Sequence, residues 1–409
     1  MSKSVLIGPF SQMITLRNLP LKGAIHDDQL EIIPNGGILT NNGVIIAVGS
    51  FQALRPQADA IEEVPVGAVA MPGLVDCHTH MVWGGSRAGD YALRMRGETY
   101  AKILESGGGI FDSVRKTRAA DIQELKETFI QRAQRHIASG VTTFEVKSGY
   151  GLEKESEIKM LEVVAEARPH LQADVISTCL AAHVCPKEFT DKSAYLTYVL
   201  EEILPELKSR NLATRVDAFI EPSAFPTDLA RPYLQRAKEM GFALTIHADQ
   251  FTAGSSALAV ELGAQSADHL EASGEKEIAL LANSDVVAVA LPGASLGLGM
   301  QFTPARKLVN AGASVAISTD WNPGSAPMGD LLTQAALLGI YEKLSTPEVL
   351  AGITFRAAAA LGLRDRGILA PGMRADFIAF PTHDHREILY QQGMMRPGSV
   401  WKGGRVLDV

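Results

Sequence analysis

The stretch Val69-Ala70-Met71-Pro72-Gly73-Leu74-Val75-Asp76-Cys77-His78-Thr79-His80 joins an apolar run to two histidines. We predict that residues 69–75 form a buried strand, because a strand covered on both faces carries few polar residues. His78 and His80 are two positions apart, so their side chains should point to the same side beyond the strand. Two imidazoles placed in this way can hold one cation, although two structural histidines could have the same spacing.

Further apolar runs follow this stretch and alternate with longer, charged segments of helical periodicity. The predicted strands cover residues 69–75, 141–147, 173–180, 214–220, 242–247, 264–268, 286–291 and 313–319. The helical patterns between them cover residues 121–139, 153–167, 195–209, 232–240 and 255–262. This alternation predicts a parallel sheet, and about eight strands favour a closed (β/α)8 TIM barrel over an open doubly wound sheet.

The two ends of the chain have a different character, with short β-rich runs separated by turns. Asn41-Asn42-Gly43 lies between two such runs and is typical of a hairpin turn. Similar runs return near the end of the chain, at residues 375–380 and 399–401. We therefore predict that residues 1–68 and 356–409 pair into one small β-sandwich domain, and that residues 69–355 form the barrel domain.

Composition and charge narrow the class of protein. The formal net charge is −8 and no cluster of Lys and Arg stands out, which argues against a nucleic-acid surface. No apolar run approaches the roughly 20 residues of a membrane-spanning helix, and the first residues do not have the pattern of a signal peptide. The chain has three cysteines, an odd number, among 409 residues, which favours reduced thiols. We therefore expect a cytoplasmic protein.

Reactive side chains should follow the predicted strands, because the chemistry of a TIM barrel gathers at the carboxyl ends of its strands. The sequence meets this expectation at most of the predicted strand ends. In chain order these ends carry His78 and His80, Lys147 with Tyr150, His183, Glu221, His247, His269 and Asp320.

Four of these residues can form a metal site. His78, His80, His247 and Asp320 offer three imidazole nitrogens and one carboxylate oxygen, which suit zinc or iron and also accept manganese. We expect one divalent metal per chain, zinc or iron. A water on such a metal has its pKa lowered towards neutrality and becomes a nucleophile for hydrolysis. Asp320 could accept the proton of that water, and His269 could hold Asp320 or donate to the substrate oxygen.

Other residues have structural alternatives that the sequence leaves open. His269 could be a core histidine, Lys147 could be a salt-bridge partner, and Glu221 could simply end a strand. Gly107-Gly108-Gly109 lacks the Lys-Ser/Thr of a phosphate loop, so we interpret it as a mobile or close-approach segment. His383-Asp384-His385 repeats the His-x-His pattern, but it lies in the small β segment and we place no metal there.

Several motifs resemble a known family, and they extend over nearly the whole chain from Met71. They occupy residues 72–80, 85–88, 97–100, 107–110, 117–120, 145–152, 247–250, 266–271 and 319–325. On these motifs the chain resembles the amidohydrolase superfamily. Within it, the chain looks like the enzymes that open the ring of 4-imidazolone-5-propanoate to N-formimidoyl-L-glutamate in histidine degradation. The His-x-His pair is general to the superfamily, whereas Lys-Ser-Gly-Tyr-Gly-Leu and Asp-x-Asn-Pro-Gly are narrower signals.

The resemblance implies the roles of the candidate residues. It implies metal-dependent hydrolysis of a cyclic C–N bond in a small-molecule substrate, with catalytic roles for Asp320, His269 and His183. The implied metal ligands are His78, His80, His247 and Asp320. The implied substrate contacts are Arg87, Tyr100, Tyr150, His183, Asn322, Gly324 and Ser325, to which we add Gln250.

Chemistry agrees with two of these roles. Arg87 is a suitable clamp for a propionate carboxylate, and the hydroxyl of Tyr150 can donate beside it. Gln250 stands where some members of the family carry Glu, and it can bind or orient the ring but cannot take a proton. Enzymes of this build are often symmetric dimers, so we expect a homodimer.

Two other functions stay open. The first is another cyclic amidohydrolase or deaminase with a different small anionic heterocycle. The segments Ile220–Ser223 and Leu291–Gly299 keep this alternative open, because both depart from the family pattern and are expected at the pocket mouth. The second is a metal-binding but catalytically silent scaffold or regulatory protein, which the full ligand set together with Arg87 and Tyr150 disfavours.

Overall fold

A computed structural model describes residues 3–408, except for the side chains of Tyr100, Ala101 and Leu104. It contains two sheets, a mixed sheet built from both ends of the chain and a nearly closed parallel sheet built from the middle. The prediction of a (β/α)8 barrel beside a small β domain formed by both chain ends is confirmed. The exact boundaries between the two domains stay a prediction.

The mixed sheet is held together by pairing between distant parts of the chain. Its strands are β1 (Val5–Ile14), β2 (Ile32–Asn41), β3 (Val44–Ser50), β4 (Ala60–Glu63), β5 (Ala68–Pro72), β14 (Phe377–Pro381), β15 (Ser399–Lys402) and β16 (Arg405–Val406). Their order is β16-β15-β14-β5-β1-β2-β3, with β4 beside β1. The turn between β2 and β3 is the predicted hairpin, in which Asn42 and Gly43 have φ of 49° and 79°.

The barrel sheet has eight parallel strands that follow one another in chain order. They are β6 (Leu74–Asp76), β7 (Val141–Lys147), β8 (Asp174–Ala182), β9 (Arg215–Ala218), β10 (Ala243–Ala248), β11 (Ser266–His269), β12 (Val287–Ala290) and β13 (Val315–Ile317). Beyond the strand ends, a parallel bridge between Thr79 and Trp321 brings the first and last strands together. The candidate residues that follow these strands therefore meet at one end of the barrel.

Helices follow most of the barrel strands and complete the core. The helices are α1 (Phe51–Leu54), α2 (Ala88–Met95), α3 (Tyr100–Glu105), α4 (Ile110–Ala119), α5 (Ile122–Ala138), α6 (Lys154–Ala167), α7 (Lys192–Tyr198), α8 (Leu204–Ser209), α9 (Thr227–Glu239), α10 (Ser256–Leu262), α11 (Glu275–Ala282), α12 (Pro292–Leu298), α13 (Ala305–Ala311), α14 (Leu331–Glu342), α15 (Thr346–Gly352), α16 (Phe355–Ala360) and α17 (Arg386–Tyr390). α5 begins where its sequence indicates, because the side chain of Asp121 accepts a hydrogen bond from the Glu124 amide. None of the helices in the described part of the chain is long and apolar enough to cross a membrane.

The prediction of a single strand over residues 69–75 is wrong. The structure divides this run at Gly73, so that β5 pairs with β1 and β14 in the mixed sheet while β6 begins the barrel. A Cβ atom at Gly73 would lie 2.4 Å from Thr142 Oγ1, so only glycine fits where the chain passes between the sheets. The sequence does not show this division, because both halves of the run are fully buried.

Candidate active site

A cavity of about 1050 Å³ opens at the carboxyl ends of the barrel strands. Most of the predicted site residues line it, namely His80, Arg87, Tyr150, His183, His247, Gln250, His269, Asp320, Asn322, Gly324 and Ser325. His78 is fully buried and does not line the cavity. Tyr100 begins α3, but its side chain lies outside the described part of the structure, so its substrate contact stays a prediction.

The four predicted metal ligands come together beneath this cavity. His78 Nε2 lies 3.2 Å from His80 Nε2 and 3.5 Å from Asp320 Oδ1, and His80 Nε2 lies 3.2 Å from the same oxygen. Two ligand atoms each about 2.1 Å from a tetrahedral zinc are about 3.4 Å apart, so these separations fit a shared cation. His247 belongs to the same cluster, since one nitrogen each from His78, His247 and His269 lies within 4.8 Å of the others.

Two carboxylates hold the ligand histidines from behind. His78 Nδ1 lies 2.6 Å from Asp268 Oδ2, and His247 Nδ1 lies 2.9 Å from Asp217 Oδ2. Because each Nδ1–H donates to a carboxylate, each ring can present its Nε2 lone pair to the cluster. Carboxylate–histidine pairs of this kind fix the orientation of metal-binding histidines. The residues present therefore fit a divalent cation.

The electrostatics of the cluster also suit a cation. Burial lowers the pKa of His80 and of His247, which keeps both rings neutral. Burial opposes ionisation of Asp320, but hydrogen bonds from His78 and His80 outweigh it and hold the pKa of this carboxyl well below its usual range. Burial likewise opposes protonation of His78, but Asp268 and Asp320 raise its pKa to about 9. A cation bound at Nε2 of His78 would therefore displace a proton.

The backbone turns sharply at two of the site residues. Asp320 has φ of 51° and His269 has φ of 83°, both in a region that residues with side chains seldom adopt. The Asp320 amide donates to the His78 carbonyl at 3.0 Å and so joins the last strand end to the first. Unusual backbone conformations of this kind concentrate at functional sites, where the surrounding structure enforces them.

Arg87 presents an unused guanidinium face to the cavity. Its Nε donates to Asp90 Oδ2 at 2.8 Å, and the Gly109 amide donates to the same oxygen at 2.8 Å. Among the described residues, the two Nη atoms of Arg87 have no hydrogen-bond partner. Gly324 lies against this face, where an added Cβ would be 2.3 Å from Arg87 Nη1. The remaining N–H donors can therefore bind a substrate carboxylate in two-pronged fashion.

Tyr150 and His183 lie beside His80, with ring centroids 6.0 Å and 5.6 Å from it. His183 Nδ1 donates to the Gly149 carbonyl at 3.0 Å, which leaves Nε2 as an acceptor. Burial lowers the pKa of His183 to about 3, so its ring is neutral near pH 7. Burial raises the pKa of Tyr150, so its hydroxyl stays protonated and can donate. The pair thus offers one donor and one acceptor to a polar heterocycle.

Glu221 fixes the loop that carries Gln250. It is buried and accepts hydrogen bonds from the amides of Phe251 at 2.8 Å and Thr252 at 3.2 Å, and from the Thr252 hydroxyl. Glu221, Pro222 and Ser223 also line the cavity, as do Leu298 and Met300. Residues within or next to both segments that depart from the family pattern therefore lie at the cavity, as expected from the sequence.

The expected contact between His269 and Asp320 does not occur among the hydrogen bonds and ion pairs of the described residues. Instead, His269 Nδ1 lies 3.5 Å from Glu271 Oε1, which also accepts from the Ser295 hydroxyl at 3.0 Å. The reason lies in the backbone, because the positive φ of His269 turns the residue away from the extended conformation of the strand. The His269 ring packs over His247 at a centroid distance of 5.2 Å and still faces the cavity.

Asn322 is occupied by its own loop. Its Oδ1 accepts from the amides of Gly324 at 2.7 Å and Ser325 at 2.8 Å. Its Nδ2 donates to the Asp320 carbonyl at 2.7 Å and to the Ser325 hydroxyl at 2.9 Å. These four bonds use the whole capacity of the amide. Asn322 therefore shapes this side of the cavity, whereas a direct substrate contact through its amide would require one of these bonds to break.

Four buried charged residues beneath the site were not assigned from the sequence. They are Glu145, Lys147, Asp217 and Asp268, none of which is exposed. A signal for them existed, since each is a charged residue inside a strand that is buried over its whole length. By contrast, His383 and His385 contact Ser11 and Gln12 and join no metal-ligating cluster in the described part of the chain.

The barrel, the cavity at its strand ends and the His/Asp cluster are those expected of an amidohydrolase. The model of the amidohydrolase family matches residues 69–407 of the chain. The chain therefore belongs to the amidohydrolase family.

Within this family, the chain is similar over its full length to imidazolonepropionases. The chain is 42% identical over 410 residues to an imidazolonepropionase of Deinococcus radiodurans, with 100% of both chains covered. It is 41% identical over 405 residues to an imidazolonepropionase of Deinococcus deserti, with 99% of each chain covered. The resemblance deduced from the motifs is thus confirmed over the full length of the chain.

Solved structures show the same fold at lower identity. A zinc-bound adenosine deaminase from Xanthomonas campestris superposes with a TM-score of 0.71 and 19% identity, covering 99% of this chain and 94% of that one. An atrazine chlorohydrolase from Arthrobacter aurescens, complexed with zinc, gives a TM-score of 0.69 and 18% identity, covering 98% and 95%. At these identities the likeness concerns the fold alone.

Proposed function

We propose that the protein hydrolyses 4-imidazolone-5-propanoate to N-formimidoyl-L-glutamate in histidine degradation. One observation carries this proposal: a cluster suited to a divalent metal and an unused guanidinium face share one cavity. The first can activate water against a cyclic amide, and the second can bind the carboxylate of a small anionic substrate. The full-length similarity to imidazolonepropionases supports the same substrate.

The proposed cofactor is one divalent metal per chain, zinc or iron, held by His78, His80, His247 and Asp320. Three imidazole nitrogens and one carboxylate oxygen suit either metal, and the zinc in the adenosine deaminase and atrazine chlorohydrolase structures supports zinc. A cation held there lowers the pKa of a water towards neutrality and so supplies the nucleophile for hydrolysis.

The residues of the cavity divide the remaining tasks. Arg87 binds the propionate carboxylate, while Tyr150 donates to the ring and His183 accepts from it. Gln250 orients the ring but takes no proton, because an amide is not a base at neutral pH. These groups place the ring carbonyl carbon over the cluster, which converts an encounter with water into a reaction of fixed geometry.

Proton transfer falls to two side chains. Asp320 is ionised and accepts a proton from the attacking water, while the oxygen of that water bonds to the ring carbonyl carbon. The C–N bond of the ring then breaks, and the leaving nitrogen takes up a proton from His269, which the proton accepted by Asp320 later replaces. The product carries a new carboxylate and an open formimidoyl group, so water is consumed and no redox partner is required.

The test combines metal analysis of the purified protein with the loss of ultraviolet absorbance as the imidazolone ring opens. We expect one metal per chain and turnover of imidazolonepropionate in preference to a panel of other imidazolones, hydantoins and aminated heterocycles. His78→Ala should lose the metal and nearly all turnover. Full metal occupancy in that variant would refute the ligand assignment, and preferred turnover of an aminated heterocycle would favour a deaminase instead.

A homodimer and a cytoplasmic location also stay proposals. Light scattering on the purified protein measures the first, and we expect twice the mass of one chain.

A further inference from the structure

A layer of charged side chains lies inside the barrel, where packing usually requires apolar ones. Interior layers of such barrels are filled by side chains from alternate strands, mostly branched apolar residues. In this chain, β7 contributes Lys147, β9 contributes Asp217 and β11 contributes Asp268 to one cluster of contacts. All three are fully buried, so the cluster is costly unless its charges are paired.

Lys147 is the cation that this cluster shares. Its Nζ lies 2.7 Å from Glu145 Oε1, 2.9 Å from Asp217 Oδ2 and 3.9 Å from Asp268 Oδ2. Glu145 comes from the same strand, two residues earlier, and so points to the same side of β7. Three carboxylates therefore surround one ammonium group. All four side chains are buried, so water cannot take the place of the ammonium group.

The same carboxylates hold two of the proposed metal ligands. Asp217 Oδ2 contacts both Lys147 Nζ and His247 Nδ1, while Asp217 Oδ1 accepts from the His247 amide at 3.1 Å. Asp268 Oδ2 contacts His78 Nδ1 and accepts from the Thr245 hydroxyl at 2.9 Å. Each histidine is thus linked through one carboxylate to a single buried lysine that touches neither ring.

We propose that Lys147 is a positioning residue for the metal centre, which holds Asp217 and Asp268 and through them sets the orientation of His247 and His78. This inference rests on the proposed metal-dependent function. Without the ammonium, the buried carboxylates lose their shared counter-charge and the contacts that fix them, so their side chains become free to rotate. A rotated carboxylate would no longer accept from the Nδ1–H of its histidine, so the Nε2 atoms would not be held towards the cation.

The first test measures zinc binding by the full-length protein after removal of its metal. Lys147→Met keeps most of the length of the side chain and deletes its charge. We expect its affinity for Zn²⁺, measured by competition with a chromophoric chelator, to fall about 10-fold to 100-fold, which is the usual cost of losing such support behind a metal ligand. A drop in melting temperature with unchanged zinc affinity would overturn the proposal, because Lys147 would then serve only the stability of the barrel.

A matched control separates this effect from the loss of any partly buried lysine. Lys159 Nζ donates to the carbonyls of Thr117, Arg118 and Ala120 at 3.1, 2.9 and 2.8 Å. Lys159→Met should therefore lower stability and leave zinc affinity unchanged. Equal losses of zinc affinity in Lys159→Met and Lys147→Met would contradict a specific role for Lys147.

A double variant covers the case in which Lys147→Met does not fold. Lys147→Met/Glu145→Gln removes one positive and one negative charge, so the layer keeps the net charge of the parent protein. It does not restore the ammonium that contacts Asp217 and Asp268, and we expect its zinc affinity to stay reduced. Full recovery would overturn the proposal in favour of charge balance alone. Failure of the unaltered protein to bind zinc or another divalent metal would instead refute the proposed function.

Discussion

Replacement of Arg87 by Met tests how the substrate carboxylate is bound. The Arg87 side chain is only 12% exposed, and among the described residues its one hydrogen bond goes from Nε to Asp90. A carboxylate bound by the free Nη atoms would form a buried, hydrogen-bonded charge pair, and losing one member of such a pair costs about 2–5 kcal/mol. At about 1.4 kcal/mol per factor of ten, Arg87→Met should lower kcat/KM roughly 30-fold to 4000-fold. Most of this loss should be in KM, because Arg87 binds a part of the substrate that does not react.

The assay compares imidazolonepropionate with its propionamide analogue, in both the parent protein and the variant. The parent should prefer the carboxylate by the same factor that Arg87→Met loses, and the variant should treat the two compounds alike. Arg94→Met is the control, since the Arg94 guanidinium donates to the carbonyls of Gly297 and Gly324 at 3.0 and 2.6 Å. Its loss should affect both compounds equally. An Arg87→Met enzyme that still preferred the carboxylate as strongly as the parent would refute the reasoning.

Three further variants test proton transfer by His269, substrate binding by Gln250 and the contribution of Asp174 to stability. His269→Asn should keep its metal and lose about 10² to 10⁴ in kcat, and a normal kcat would remove His269 from proton transfer. Gln250→Ala should raise KM and leave the shape of the pH dependence of kcat unchanged, and a lost titrating limb would show that this position influences a proton transfer. Burial opposes ionisation of Asp174, but Lys402, Arg366 and Arg374 hold its pKa below the usual range. Its stabilising effect is therefore present above about pH 4, the ordinary pKa of aspartate, and is lost as the pH falls further. Asp174→Asn should lower the melting temperature at pH 7, with a difference from the parent that narrows below about pH 4.

Most of the barrel strands could be predicted from the sequence, because buried strands appear as apolar runs that alternate with helical segments. The run 141–147 coincides with β7, and the predicted ranges for β8 to β13 differ from the observed strands by only a few residues. The exception is the first strand, where β5 and β6 form one apolar run. Periodicity reports that a residue is buried, but it does not report which sheet buries it. Only the close approach at Gly73 separates the two strands, and that contact involves Thr142, which is distant in the sequence.

The candidate metal ligands could be predicted for a related reason, whereas the carboxylates that accept hydrogen bonds from them could not. A residue that follows an apolar run lies at a strand end, as His78, His80 and Asp320 do, and His247 lies one residue before the end of β10. Asp217 and Asp268 lie within the strands themselves, where a charged residue interrupts the apolar pattern and does not by itself indicate a function. Their meaning depends on Lys147 on another strand, and the closure of the barrel that brings the three together is a tertiary event. A charged residue inside a predicted barrel strand is therefore a useful signal for the support of a metal site.

The backbone explains why the sequence predicted the contact between His78 and His80 but not the surroundings of His269. The rule that residues two positions apart point the same way holds only while the chain stays extended. Residues 77–80 show no positive φ, and the two Nε2 atoms lie 3.2 Å apart as the rule requires. His269 and Leu270 have φ of 83° and 69°, and Asp320 has φ of 51°, so the extended rule fails at both of these strand ends. His269 Nδ1 consequently lies 3.5 Å from Glu271 Oε1 and makes no ion pair with Asp320 among the described residues.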